Sequence, residues 1–157
     1  GLDFFRRHGN VAVLHTFSKA YGLAGLRIGY AVAHEQVAAN LRRVALPFGV
    51  SALAQTAAVA SLDAQQELDE RVRAVIAERG RVTAALREAG WPVLDSQGNF
   101  VWVRAGERAA EIDAALREGG VIARAFVGEG LRITIGSPEM NDRLLQAIAG
   151  IEPIAAA

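Results

Sequence analysis

The stretch Thr16–Tyr30 reads TFSKAYGLAGLRIGY and holds Lys19, the single lysine of a 157-residue chain that contains sixteen arginines. The lysine lies between two short apolar runs, residues 11–14 and 26–33, and each run predicts a buried β-strand. Three glycines inside the stretch allow tight turns and a close approach of the backbone to a ligand. The sequence therefore predicts a loop between two buried strands, with one lysine amine in that loop.

The side chains around Lys19 suit the binding of a phosphorylated aldehyde. A lysine amine can form an imine with a carbonyl carbon. The hydroxyls of Thr16 and Ser18, together with the guanidinium of Arg27, can hold a phosphate by charge-assisted hydrogen bonds. The spacing matches neither a GxxxxGK[ST] phosphate loop nor a GxGxxG dinucleotide motif. On residue types alone, a purely structural turn remains the alternative.

Helical and strand patterns alternate along the rest of the chain and predict the α/β class. Helices are expected over residues 34–45, 51–62, 68–89, 107–118 and 138–148, and strands over 91–94, 99–104, 121–123 and 131–135. Ser51 is the expected cap of a buried helix, and Gly80 is expected to interrupt the long charged helix. In the 99–104 strand, Phe100 and Trp102 are expected to be buried, with Val101 and Val103 as further candidates.

Composition excludes several classes of protein. The 17 basic and 17 acidic residues cancel, so no strong field attracts nucleic acid or an anionic membrane. Without cysteine the chain has no disulfide, thiolate–zinc site or thiol nucleophile, and no metal site is predicted. No apolar run approaches the roughly 18 residues that a membrane helix needs, and the first residues do not resemble a signal peptide. The expected location is the cytoplasm.

Three segments carry a resemblance to a known family. Thr16–Tyr30 resembles the lysine segment of the fold-type-I, class I and II aminotransferases. Residues 130–141, GLRITIGSPEMN, resemble the strand and last helix that carry the substrate-carboxylate arginine of that family. Residues 98–103, GNFVWV, resemble a block that enters the small domain. The three segments follow in the family's order and are most similar to the branch of histidinol-phosphate and aromatic amino acid aminotransferases.

The resemblance implies pyridoxal 5′-phosphate as the cofactor and gives roles to four residues of the first segment. Lys19 would bond covalently to the cofactor and, once released, would shuttle a proton. Ser18 and Arg27 would bind the cofactor phosphate, with help from Thr16.

The resemblance also implies how substrates are bound. Arg132 would pair with the α-carboxylate in the bidentate geometry that arginine allows. Arg124 would contact a substrate phosphate, and Asn99 would line the same cleft. The implied reaction transfers an amino group from histidinol phosphate or an aromatic amino acid to 2-oxoglutarate, in a homodimer.

The family has a much longer part before its lysine segment than the 18 residues that precede Lys19 here. The resemblance therefore implies that residues 1–65 are the carboxyl-terminal part of the large cofactor-binding domain. Residues 66–157 would be the linking helix and the small α/β carboxyl-terminal domain. We expect this part alone to be inactive. Two alternatives stay open: another fold-type-I enzyme such as a β-lyase, or a non-catalytic α/β domain.

Overall fold

The computed structural model describes residues 1–154 of the chain. The chain divides into two compact units, Gly1–Arg71 and Val72–Ala157. Among the described residues, the continuous hydrophobic core lies entirely within the second unit. The first unit has three buried apolar residues, Phe17, Ala54 and Ala58, which are not part of that core.

The first unit contains a two-stranded antiparallel ladder and three helices. Its elements are α1 Leu2–Arg7, β1 Ala12–Thr16, a short 3₁₀ turn at Ala24–Leu26, β2 Gly29–Ala33, α2 Glu35–Val44 and α3 Ala52–Asp63. Strands β1 and β2 pair in a register that sets Ala12 opposite Ala33 and Thr16 opposite Gly29. The Ser51 hydroxyl accepts a hydrogen bond from the Ala54 amide at 3.2 Å and so caps α3 as expected.

The burial expected for this first unit is wrong. Leu14, in the middle of β1, is 81% exposed, and every residue of β1 and β2 is at least partly exposed. Helix α3 buries only Ala54 and Ala58. A two-stranded ladder has no second layer of its own to cover its faces, and no other element of this unit covers both faces of the strands. The apolar runs thus correctly predicted that these two segments form strands, but not that the strands are exposed to solvent.

The second unit is an antiparallel four-stranded sheet with helices. Its elements are α4 Gln65–Glu88, which begins in the first unit, β3 Val93–Leu94, β4 Phe100–Arg104, a 3₁₀ turn at Gly106–Arg108, α5 Ala109–Glu118, β5 Arg124–Phe126, β6 Gly130–Thr134 and α6 Pro138–Ala149. The strand order is β3-β4-β6-β5. Register sets Trp102 of β4 opposite Arg132 of β6, which in turn lies opposite Arg124 of β5.

Alternate residues of the sheet point to two different faces. One face is buried and includes Val101, Val103, Leu131 and Ile133, all 2% exposed or less. The inner side chains of the helices join the same core cluster: Val82, Leu86, Ile112, Leu116, Leu144 and Ile148. Phe100 and Trp102 point to the opposite, half-exposed face. The expectation that these two rings form the buried side of β4 is therefore wrong, and Val101 and Val103 fill the core instead.

Two further boundaries differ from the expectation. Helix α4 runs without a break through Gly80, because a single glycine costs a helix only about 1 kcal/mol and Val82 and Leu86 anchor the following turns in the core. The strand expected over residues 121–123 is wrong, because these residues belong to no strand and β5 begins at Arg124. No helix within residues 1–154 has both the length and the apolar character needed to cross a membrane.

Candidate functional site

Lys19 stands in a tight turn that directly follows β1. The Ser18 amide donates to Thr16 Oγ1 at 3.1 Å, and the Gly22 amide donates to the Lys19 carbonyl at 2.9 Å. Gly22 has φ +73°, a left-handed conformation that favours glycine. The side chain of Lys19 is exposed. These bonds fix the backbone on both sides of Lys19 and leave its amine facing solvent.

Arg27 closes the same turn from the β2 side. The Phe17 amide donates to the Ile28 carbonyl at 3.2 Å, which extends the β1–β2 ladder to the residue beside Arg27. Arg27 itself has φ +51°, an uncommon conformation for a residue with a side chain, and its Nη1 donates to the Ala24 carbonyl at 2.7 Å. The remaining guanidinium donors stay available, since arginine has five N–H groups.

The absence of a side chain at Gly29 allows β1 and β2 to pack closely beside this turn. A Cβ atom at Gly29 would lie 2.6 Å from the His15 carbonyl oxygen, so only glycine allows the two strands to approach this closely. The turn also rests on Phe17, which is 4% exposed and packs against the rings of Tyr21 and Tyr30 at 4.7 and 5.9 Å. In the sequence, the aromatic Phe17 between the polar residues Thr16 and Ser18 is the signal that could have predicted this anchor.

The donors of this turn fit a phosphate-bearing aldehyde. One primary amine, two hydroxyls and one guanidinium gather in a single turn, and no carboxylate is ion-paired to them: of the ion pairs formed within residues 1–154, none involves Lys19 or Arg27. A lysine amine supplies the covalent bond, and the hydroxyl and guanidinium groups supply the phosphate ligands. The structure thus places Thr16, Ser18 and Arg27 at the same end of the β1–β2 ladder, with Lys19 in the adjoining turn.

A second arrangement of free arginines lies in the other unit, on the half-exposed face of the sheet. Arg132 and Arg124 are directly opposite residues on β6 and β5, so their side chains leave the same face close together. The Arg132 guanidinium lies 5.8 Å from the Phe100 ring centre and that of Arg124 lies 5.1 Å from the Phe126 ring centre. Within the described part of the chain, neither arginine forms an ion pair.

Aromatic rings lie beside the two arginines on the same face of the sheet. Trp102 lies opposite Arg132 on β4, and its ring packs against that of Phe126 at 5.3 Å. Gly130, opposite Arg104, allows this packing, since a Cβ atom there would lie 3.0 Å from the Trp102 ring and would collide with the Val103 carbonyl. The face therefore combines two cations with apolar walls, which suits an anionic ligand that carries an aromatic group.

Asn99 directly precedes β4. Its carbonyl accepts a hydrogen bond from the Ile135 amide at 2.9 Å, which extends the β4–β6 pairing by one residue. Its side chain is exposed and forms no hydrogen bond with residues 1–154. Because alternate residues of a strand point to opposite faces, Asn99 shares the side of Val101 and not that of Phe100, and the structure does not bring it together with the two arginines. Phe100 and Trp102 were missed as site residues because their apolar character predicted core positions, and no role was predicted for Phe126.

Comparison with known proteins identifies the family that this chain resembles. The sequence model of the family described as aminotransferase class I and II matches residues 2–148. A protein of Streptomyces avermitilis named aromatic amino acid aminotransferase is 58% identical over 146 residues, which cover 93% of this chain and 41% of that protein. The chain therefore spans about two fifths of the length of this curated relative.

Solved structures give the same result for the fold. The structure of histidinol-phosphate aminotransferase from Sinorhizobium meliloti, in complex with pyridoxal 5′-phosphate, is 31% identical with a TM-score of 0.77 and covers 90% of this chain and 41% of that one. The histidinol-phosphate aminotransferase of Clostridium acetobutylicum, at 20% identity and a TM-score of 0.86, shares the fold over 96% of this chain and 48% of its own. The α/β class expected from the sequence is confirmed.

Proposed function

Since this chain belongs to the class I and II aminotransferase family, we propose that the full-length protein transfers an amino group from an aromatic amino acid to 2-oxoglutarate, with pyridoxal 5′-phosphate as its cofactor. The observation that carries the proposal is Arg132, free of ion pairs within residues 1–154, on one face of the sheet with Phe100, Trp102 and Phe126. An aromatic amino acid has the two groups that such a face can hold, a carboxylate and a ring. The naming of the relative from Streptomyces avermitilis agrees with this choice of donor.

Four residues of the lysine turn would hold the cofactor. When bound, pyridoxal 5′-phosphate supplies an aldehyde carbon and an electron-withdrawing ring. Lys19 Nζ is the attachment point and, when free, carries a proton to and from the substrate's α-carbon. The Ser18 hydroxyl and the Arg27 guanidinium bind the phosphate, and the Thr16 hydroxyl, which already accepts from the Ser18 amide, holds Ser18 in position.

The arginine face of the second unit would bind the substrate. Arg132 pairs with the α-carboxylate by two parallel hydrogen bonds, a geometry that lysine cannot reproduce. The Phe100 ring lies beside this guanidinium, at 5.8 Å from its centre, and forms an apolar wall of the carboxylate site. We also assign Asn99, which directly precedes Phe100 in the chain, to a contact with the substrate beside the carboxylate. The aromatic side chain of the substrate packs against Trp102 and Phe126.

A second candidate donor, histidinol phosphate, is favoured by one observation. Arg124 is a second free cation that stands directly across from Arg132, and a substrate phosphate would fit it. For the full-length protein we expect kcat/KM to be higher for phenylalanine than for histidinol phosphate. Replacement of Arg124 by methionine should leave phenylalanine turnover nearly unchanged. If histidinol phosphate is the better substrate and Arg124→Met lowers its turnover selectively, the second candidate is correct.

The lysine turn can be tested on the 157-residue chain by reductive labelling. The chain is incubated with limiting pyridoxal 5′-phosphate, reduced with borohydride and measured by intact mass, with a digest to locate the adduct. Only Lys19 and the terminal amine can react. We expect Lys19 to be labelled, and we expect Lys19→Arg to abolish this labelling and Arg27→Met to weaken it. Arg43→Met is the control, because Arg43 is an exposed residue of α2, and this variant should leave the labelling unchanged. Equal labelling of Lys19 and the terminal amine would refute a built cofactor site.

The remaining parts of the proposal concern the whole protein. We assign residues 1–65 to the carboxyl-terminal part of the large cofactor-binding domain and residues 66–157 to the linking helix and small domain. We expect the full-length protein to be a cytoplasmic homodimer and the 157-residue chain alone to be inactive. Amino transfer from phenylalanine by the purified 157-residue chain, lost on Lys19→Arg, would refute the last of these statements.

A further inference from the structure

Arg79 of α4 holds the turn that begins strand β4. Its Nη1 donates to the Gly98 carbonyl at 2.7 Å, a contact between residues 19 positions apart in the chain. The Ser96 hydroxyl accepts from the Gly98 amide at 3.1 Å on the other side of the same residue. Both backbone polar groups of Gly98 are therefore held, one of them by a charged and half-buried side chain. Bonds to a charged donor are roughly twice as strong as neutral ones.

The position of Gly98 fixes the ring of Phe100. A Cβ atom at Gly98 would lie only 2.6 and 2.9 Å from two carbons of that ring, so the ring lies directly against the glycine backbone. The same ring also lies near Arg132, whose guanidinium is 5.8 Å from the ring centre. A displacement of Gly98 would therefore move the ring, and the ring would move the guanidinium.

The adjacent residue of α4 holds the neighbouring strand. Glu78 Oε2 accepts from the Asn141 amide group at 2.7 Å. The Asn141 side chain in turn bonds to both the amide and the carbonyl of Gly136, at 3.0 and 3.1 Å, just beyond the end of β6. The start of β4 and the end of β6 are neighbours, because Phe100 lies opposite Thr134. Glu78 and Arg79, consecutive residues of α4, thus hold the start of β4 and the end of β6 at the same end of the strand pair.

We infer that Arg79 is a positioning residue, which acts through Gly98 and Phe100 to orient the guanidinium of Arg132 for its carboxylate ligand. The inference rests on the carboxylate-binding role proposed for Arg132. Arg79 itself points at a backbone carbonyl and does not lie on the arginine face. Its removal should leave the core intact, because the core side chains of α4 are Val82 and Leu86.

The test compares four variants of the 157-residue chain. Arg79→Met removes the donors and keeps an apolar stem, and Arg79→Lys restores one cationic donor. Gly98→Ala pushes the Phe100 ring without touching Arg79. Arg73→Met is the matched control, because Arg73 is an exposed arginine of the same helix. The first readout is the NMR resonance of the Arg132 side-chain N–H group, which senses the ring current of Phe100. This resonance is assigned by its absence from the spectrum of Arg132→Lys.

The second readout is the affinity for 3-phenylpropanoate, with the neutral 3-phenylpropanamide as a comparison ligand. We expect Arg79→Met and Gly98→Ala to shift the Arg132 resonance. Both should weaken carboxylate binding by between about threefold and the roughly 100-fold that a 1 Å misplacement can cost. Arg79→Lys should fall between wild type and Arg79→Met, and Arg73→Met should match wild type.

Three outcomes decide the matter. An Arg132 resonance that is unmoved in either Arg79→Met or Gly98→Ala overturns the inference, even if the variant is less stable. If Arg79→Met does not fold, Arg79→Lys takes its place, and an Arg132 resonance without the partial shift expected for that variant overturns the inference. If the resonance moves as expected while wild type binds 3-phenylpropanoate no better than the amide, the positioning role stands and the proposed function of Arg132 fails.

Discussion

Replacement of Asn141 by alanine should destabilise the second unit strongly, because this side chain is the most deeply buried polar group in it. Asn141 is 2% exposed and is the one buried polar residue among residues 1–154. It accepts from the Gly136 amide, donates to the Gly136 carbonyl and donates to Glu78. Alanine removes all three bonds and leaves the polar groups of Gly136 without these partners.

The expected size of the effect follows from these contacts. Each of the two bonds to Gly136 contributes about 1 kcal/mol to the free energy of unfolding, and the bond to Glu78 adds to the loss in the same direction. We therefore expect a loss of at least about 2 kcal/mol. For a domain of this size that corresponds to a fall in Tm of roughly 8–16 °C.

Urea unfolding followed by tryptophan fluorescence measures the effect. Both tryptophans, Trp91 and Trp102, belong to the second unit, so the signal reports that unit alone. Gln146→Ala is the matched control, since Gln146 is an exposed residue of the same helix and its replacement should change stability by less than about 0.5 kcal/mol. A loss below about 1 kcal/mol for Asn141→Ala, or one equal to that of the control, would refute the reasoning.

A second replacement at the same position separates hydrogen bonding from volume. Asn141→Asp keeps an acceptor for the Gly136 amide and replaces the donor group by a carboxylate beside Glu78. Two carboxylates at this distance repel each other when both are charged. We expect the variant to lose more stability at pH 7 than at pH 5, since protonation of one carboxyl relieves the repulsion. A loss that does not depend on pH would contradict a direct contact with Glu78.

Three further predictions concern the core, an ion pair and a helix cap. Leu131→Ala, at a fully buried position of β6, should lower stability by about 2–5 kcal/mol in urea unfolding. Hydrogen bonds from the Arg81 guanidinium and, to a smaller extent, from the Asn141 amide lower the pKa of the Glu78 carboxyl below its ordinary value of 4.5. The stabilisation that the charged Glu78 gives to the folded state is therefore complete above pH 4.5 and is lost as the pH falls below that value. Glu78→Gln should flatten the acid limb of a Tm-versus-pH curve, whereas Glu88→Gln should not. Ser51→Ala should cost α3 about 1 kcal/mol, seen as faster hydrogen exchange of the Ala54 amide, and unchanged exchange would be evidence against the cap.

Local patterns predicted those elements whose type depends on neighbours in the chain. The start of α6 was expected near Pro138, and there the Ser137 hydroxyl accepts from the Met140 amide with Pro138 in the first turn. The turn at Lys19 was expected from its glycines, and Gly22 and Gly29 meet conformational and steric demands there. Burial was predicted less well, because the same apolar run suits a strand that is covered and one that is not.

The sequence by itself determined the α/β class, the Ser51 cap of α3 and the place of Lys19 in a turn between two strands, since these depend on residue types and on spacing within one segment. Only the tertiary structure decided which side of β4 faces the core, because alternate residues of that strand are all apolar and either face would have satisfied the pattern. It also decided that Arg132 lies beside Trp102, 30 positions earlier, and that Arg79 holds Gly98. Such contacts follow from strand register and helix packing, which bring distant residues together and which no local pattern encodes.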